Sequence, residues 1–380
     1  MIEAEENFAK KAEAKANAVI ERCAKPVGLF ASGTKYGYTS VWARDSMLAL
    51  IGASFRDNKK KFKPVFSKTL ATLSKHQTKL GQIPNCVDLF EKRREKQVTF
   101  ATIDSSLWFI LGEYFFKENY KDSALFNMHK KSISNAMLWV QYQDAGNDCL
   151  PEQQPTSDWQ DCFPHKYGHT INTIALYYAS LLCLKRKKEA ARVKKQADKL
   201  LYSQKLGYYL PWAWKNHDGE REQEEWFDSL GNLLAINFGL AGEEKSKKIL
   251  SFIQKKGIDK PFPVKAIFPP IKKGDKEWKA YFSKCLAGKP NNYINGGIWP
   301  CIGGFYVSAL VKIEGVEKAR ESLYWLTQAN RIGIRTEWEF NEWIHPTKMK
   351  AMGSAYQAWS AGAFLLALEA IERKGKIFEF

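Results

Sequence analysis

The chain has 380 residues, 45% of them hydrophobic and 26% charged, a globular composition that excludes a disordered polymer and suffices for a substantial core. Its formal net charge is +17 at pH 7, and thirteen tryptophans stand out, a residue used either in cores or as a stacking platform for sugars and bases. No run reaches the roughly 20 apolar residues of a membrane span; the longest, Ala363 to Leu368, stops at Glu369. The stretch from Met1 to Cys23 has no secretory apolar segment, and the seven cysteines contain no Cys-x-x-Cys pair. The expectation is a reducing, cytoplasmic setting with no membrane association and no metal.

Taken in chain order, apolar periodicity predicts helices near 5–23, 41–55, 62–78, 103–119, 124–143, 168–184, 186–201, 228–239, 242–255, 297–313, 315–328 and 354–373. Several form close pairs, such as 168–184 with 186–201 and 297–313 with 315–328. The first of each pair mixes small, aromatic and polar residues on an apolar helix, as in Gly168-His169-Thr170-Ile171-Asn172. The second carries solvated charge on one face, as in Arg186-Lys187-Lys188-Glu189. An inner ring of helices wrapped by an outer ring explains this contrast. The expected fold is all-α, an (α/α)6 barrel in one domain over 1–380. Two irregular stretches, 144–167 and 256–296, are long and aromatic, which marks loops that build a site.

No phosphate-binding loop, dinucleotide fingerprint, nucleophile elbow or zinc-protease helix is present, so no cofactor is implied. Carboxylates beside tryptophans carry the signal instead. The first set is Tyr36 to Ser46, containing Trp42, Arg44 and Asp45; an Arg–Asp pair offers both halves of the hydrogen-bond inventory that sugar hydroxyls need. The alternative is that Asp45 or Ser46 caps a helix. In Ser157-Asp158-Trp159-Gln160-Asp161-Cys162 a carboxyl group buried against aromatics would have the raised pKa of a general acid, or else would cap the following helix. The third set is Glu337-Trp338-Glu339-Phe340-Asn341-Glu342-Trp343. A period-two arrangement there puts Glu337, Glu339 and Asn341 on one side, where one carboxylate could activate water. Asp104 with Trp108, and Asn295 with Trp299, belong to supporting segments; Trp108 reads as core.

In this order the segments resemble the glycoside hydrolases of the six-fold α/α barrel, above all the alkaline/neutral invertase family, and next the glucosidase domain of glycogen debranching enzymes. Trp42-Ala43-Arg44-Asp45 is similar to the family's Trp-x-Arg-Asp, and Asp104-Ser105-Ser106-Leu107-Trp108-Phe109 to its Val-Asp-Ser-Gly-x-Trp-Trp. Leu230-Gly231-Asn232-Leu233, Asn295-Gly296-Gly297-Ile298-Trp299-Pro300 and Tyr356-Gln357-Ala358-Trp359-Ser360 find counterparts too. By resemblance Asp161, followed by Tyr167-Gly168, is the general acid and Glu339 the general base, with Asp158 and Glu337 as rivals. Trp42, Arg44, Asp45, Asp104, Trp159, Asn295, Trp299 and Gln357 would bind substrate.

The implied activity is inverting hydrolysis of an α-glucosidic bond in an oligosaccharide, a glucan branch or sucrose, with no cofactor. Departures surround the pocket. Cys162 and Phe163 stand where the invertases have arginines, Asn172 replaces a Glu, Ile294 a His and Trp338 a Pro. Chemistry therefore carries over better than substrate.

Two other classes remain open at this point. A sugar epimerase on the same barrel would use His169 and His345 to move the proton. A non-catalytic binder of nucleic acid or anionic glycan would use the positive charge, but its runs at Lys59–Lys63, Lys185–Lys188 and Lys245–Lys248 are scattered over predicted outer helices and turns and form no single stripe interleaved with aromatics. No specific nucleic-acid partner is expected.

Overall fold

The computed structural model describes residues 2–35, 37–88, 98–215 and 219–380; Tyr36, at the head of the first motif, lies outside them. In chain order the helices are α1 (Ile2–Cys23), α2 (Ala43–Ser54), α3 (Lys63–Lys75), α4 (Asp104–Tyr120), α5 (Ala124–Met128), α6 (Lys130–Gln141) and α7 (Ile171–Cys183). There follow α8 (Lys187–Leu200), α9 (Ser229–Asn237), α10 (Glu243–Lys255), α11 (Pro300–Glu314), α12 (Val316–Arg331) and α13 (Ala358–Glu372).

Helices α2, α4, α7, α9, α11 and α13 each pack on the next, and α13 closes on α2, making a complete inner ring. They are buried almost all round, as their sparse charge requires. The outer helices are amphipathic. Helix α8 buries Ala190, Val193 and Ala197, and α10 buries Ile249, Leu250 and Ile253, leaving their lysines in water. Six inner helices inside an outer layer make the expected (α/α)6 barrel.

Close helix crossings depend on small residues. A Cβ built at Gly362 of α13 would stand 2.4 Å from the Ala49 backbone of α2, and one at Gly304 of α11 would stand 2.2 Å from the Ala363 carbonyl. Only glycine permits these approaches.

The predicted inner helices begin late. Val41–Trp42 pairs with Cys86–Val87, and His169–Thr170 with Trp212–Ala213, so α2 and α7 start only after a short strand. Trp299 before α11 and Gln357 before α13 are likewise extended. The predicted helix 124–143 is divided at His129, whose Nδ1 lies 2.6 Å from Glu113 Oε1 on α4.

Candidate active site

The residues that enter the inner helices meet at one end of the ring. Arg44, in the first turn of α2, is buried and contacts three carboxylates. Its Nη1 donates to Asp104 Oδ2 at 2.9 Å, while Nη2 lies 3.9 Å from Asp161 Oδ2 and Nε 4.0 Å from Asp45 Oδ2. Neither Asp45 nor Ser46 caps α2: the cap position is Trp42, and the Ser46 hydroxyl donates to the Leu29 carbonyl.

Asp161 stands in the loop before α7 and does not cap that helix, whose cap position is Thr170. Its side chain is 44% exposed toward the mouth of the ring, but protein encloses its other sides. That enclosure raises its pKa; Arg44 opposes the rise, and the negative charges of Asp104 and Asp158 add to it. Asp45 is pushed up to about 6, chiefly by burial, with Arg44 opposing and Asp161 adding.

The segment expected to supply the base differs from its period-two reading. Trp338 and Phe340 have φ of +67° and +48°, which curls the chain into a loop rather than a strand. Inside this loop Glu339 accepts from the backbone N–H groups of Ile334, Arg335 and Thr336 and from the Thr336 hydroxyl. Its carboxylate is fully occupied in organising its own loop. Glu337 is exposed and paired with Arg331.

Glu342 is the carboxylate that reaches the acidic cluster. It directly precedes the strand Trp343–His345, which forms a hairpin with Lys350–Met352. Its Oε1 accepts from the phenols of Tyr38 (3.3 Å) and Tyr293 (3.2 Å), and its Oε2 from Ser354 N–H at 2.9 Å. Burial pushes its pKa up to about 7; the Ser354 and Tyr293 donors oppose the rise and the charge of Asp45 adds to it. Asp161 acts electrostatically on the same two tyrosines, so Glu342 and Asp161 share one neighbourhood. A cleft of about 870 Å³ opens over Glu342, Tyr38, Tyr293 and Ser354, and Glu339 lines it as well.

Tryptophans form the adjoining wall. Trp299 meets Trp159 at 5.5 Å and Trp359 at 5.6 Å between ring centroids, both edge-on. The side-chain amides of Gln160 and Gln357 and the indole N–H groups of Trp159 and Trp359 are buried without a hydrogen-bond partner among the described residues. Buried polar atoms are nearly always bonded, so several orphans around one tryptophan cluster mark a place for a hydroxyl-rich ligand.

The expected substrate residues thus divide. Arg44 and Asp45 stand beside Asp161, and Trp42 meets Tyr38 edge-on at 5.8 Å between ring centroids; Trp159, Trp299 and Gln357 are buried in the adjoining wall. Asp104 is completely buried and acts through Arg44. Asn295 is also fully buried, and its amide bonds the backbones of Ile271 and Ala287, which ties its loop together.

The two histidines of the epimerase alternative are engaged elsewhere. His169 pairs with Asp148 at 3.1 Å, and His345 Nδ1 accepts from the Thr347 and Lys348 backbone. Among the described residues no group of His, Cys, Asp and Glu could hold a metal ion.

Solved structures with this architecture include a GH63 mannosylglycerate hydrolase from Thermus thermophilus, bound to Tris and D-glycerate, with a TM-score of 0.73 at 12% identity; the match covers 93% of this chain and 99% of that one. A wild-type glycosidase matches with a TM-score of 0.68 at 12% identity, covering 96% of this chain and 97% of the other. These likenesses establish the fold.

In sequence, residues 204–374 match the family model described as alkaline and neutral invertase. The mitochondrial alkaline/neutral invertase C of Arabidopsis thaliana is 28% identical over 153 residues, 40% of this chain. That stretch spans only 22% of the plant protein's length. The family that the motifs resemble is thus the family whose model matches, over the C-terminal half of the chain.

Proposed function

We propose that the chain is an inverting glycoside hydrolase of α-glucosidic bonds, a single catalytic domain in which Asp161 is the general acid and Glu342, in place of Glu339, the general base. The observation that carries this reading is the shared neighbourhood of Asp161 and Glu342, with Arg44 and Asp45 beside them and orphaned polar atoms along the tryptophan wall. The match to the invertase family model and the glycosidase neighbours support it.

In this mechanism Asp161 donates its proton to the glycosidic oxygen as the bond breaks. Glu342 takes a proton from a water that attacks the anomeric carbon from the opposite face, and the tyrosine pair Tyr38 and Tyr293 orients its carboxylate. Arg44 keeps the cluster from accumulating uncompensated charge. In this reading Asp45 and Gln357 bind sugar hydroxyls and Trp299 packs against the ring. Acid–base chemistry of this kind needs no cofactor. A reducing compartment suits the seven cysteines, none of them in a disulfide.

The test is product release from sucrose, maltose, isomaltose, malto-oligosaccharides, a branched dextrin and mannosylglycerate, with the anomer followed by NMR. The expected result is release of β-glucose from one of the α-glucosides. Asp161→Asn and Glu342→Gln should each lower kcat by about 10²–10⁴-fold. Glu339→Gln should act mainly on stability. Glu342→Gln with wild-type turnover, or an α-anomeric product, would overturn the assignment.

A further inference from the structure

Lys166 is a lysine with no exposed surface, in the loop that runs from Asp161 to α7. Lysines are almost never fully buried unless paired. Its ammonium lies 2.8 Å from Asp158 Oδ2 and 3.4 Å from Asp228 Oδ2, and both of these side chains are fully buried too. Each carboxylate has a second task. Asp158 Oδ1 accepts from Gln160 N–H at 2.9 Å, which closes the turn leading directly to Asp161. Asp228 is the N-cap of the inner helix α9, accepting from Gly231 N–H at 3.2 Å. The ammonium therefore ties the turn that presents Asp161 to a rigid element of the barrel.

Beyond its own backbone N–H, Asp161 has little else to hold it. Its carboxyl is open to the mouth and its nearest cation, Arg44, is 3.9 Å away. The 158–161 turn that carries it is closed by Asp158, which Lys166 holds. We infer that Lys166 is a positioning residue for the general acid, acting through Asp158 to aim Asp161 at the glycosidic oxygen. The inference rests on the reading of Asp161 as the acid.

Leaving groups separate this role from a merely structural one. An alkoxide leaving group needs the Asp161 proton as the C–O bond breaks, whereas fluoride departs from α-glucosyl fluoride as the anion without it. Lys166→Met should lower turnover of the best α-glucoside at least tenfold while holding turnover of α-glucosyl fluoride within about threefold of wild type. Lys166→Arg should restore much of the loss.

Lys166→Met strands two buried carboxylates and is expected to weaken folding. Asp158→Asn is therefore measured beside it, since it preserves the acceptor for Gln160 N–H and removes half of the ion pair. It should show the same selective loss, smaller in size. Equal losses on both substrates, or no loss on either, would overturn the positioning role. Asp161→Asn is the control. If it too loses both substrates equally, the assignment of the acid fails; if it loses only the glucoside, that assignment stands and the Lys166 variants alone decide the positioning role.

Discussion

Glu342 and Glu339 show how neighbouring residues of one type acquire opposite tasks. Glu339 is saturated by the N–H groups of its own loop, while Glu342 faces the cluster through two phenols and one backbone N–H. As the proposed base Glu342 must lose its proton to work, so kcat/KM should fall as pH drops through about 7, the value to which its pKa is raised. A pH–rate profile checks this, and Asp45, raised to about 6, steepens the same limb. The linkage to stability has the opposite sign. A carboxyl whose pKa is raised by folding stabilises below its unfolded value near 4.5, and that contribution is lost as pH rises through about 7. Glu342→Gln, whose turnover should fall as stated above, should therefore raise stability at pH 8 by ~1–3 kcal/mol, measurable by denaturant titration. Three carboxylates within one short motif were legible in the sequence. Which of them faced the cluster was not, because alignment to the family's Glu favoured Glu339 and the left-handed residues Trp338 and Phe340 break the alternation. The signal that was present is the run Trp343-Ile344-His345 directly after Glu342, an apolar strand that carries the carboxylate on its leading edge.

The elements that position these residues are the starts of the inner helices. Apolar periodicity located every inner helix but placed the starts of α2, α7, α11 and α13 early, since periodicity does not mark where an extended segment turns into a helix. Short strands such as Val41–Trp42 and His169–Thr170 win there because their partners, Cys86–Val87 and Trp212–Ala213, come from distant loops. At the other limit, helix crossings are set by glycine. Gly362→Ala would force a Cβ against the Ala49 backbone of α2, and overpacking of this kind costs about 1–3 kcal/mol. Thermal unfolding should show it as a drop in Tm of several degrees with the helical content unchanged. Asp104→Asn is the corresponding test of the α2–α4 contact. Arg44 would keep a neutral acceptor where it now has a charge at 2.9 Å, so substrate affinity should weaken more than kcat.

At the scale of the whole molecule, the positive charge lies on the outer ring and its turns, as on the lysines of α8 and α10, while the acidic cluster lies at one end of the inner ring. Retention on heparin should accordingly be weak and vanish at modest salt, as expected of charge without a shaped polyanion site. No helix among the described residues is long and apolar enough to cross a membrane. The sequence by itself determined the twelve-fold alternation of buried and amphipathic helices, because each helix records its own environment in the period of its apolar residues. It also singled out the segments, with Trp, Arg and Asp at the starts of inner helices, on which the proposed site rests. Tertiary structure alone decided that Asp104 pairs with Arg44, that Asn295 ties a loop, and that Glu342 shares the phenols of Tyr38 and Tyr293 while Glu339 bonds its own loop. Those outcomes depend on which distant donors reach each side chain, and such distances are fixed only when the ring closes.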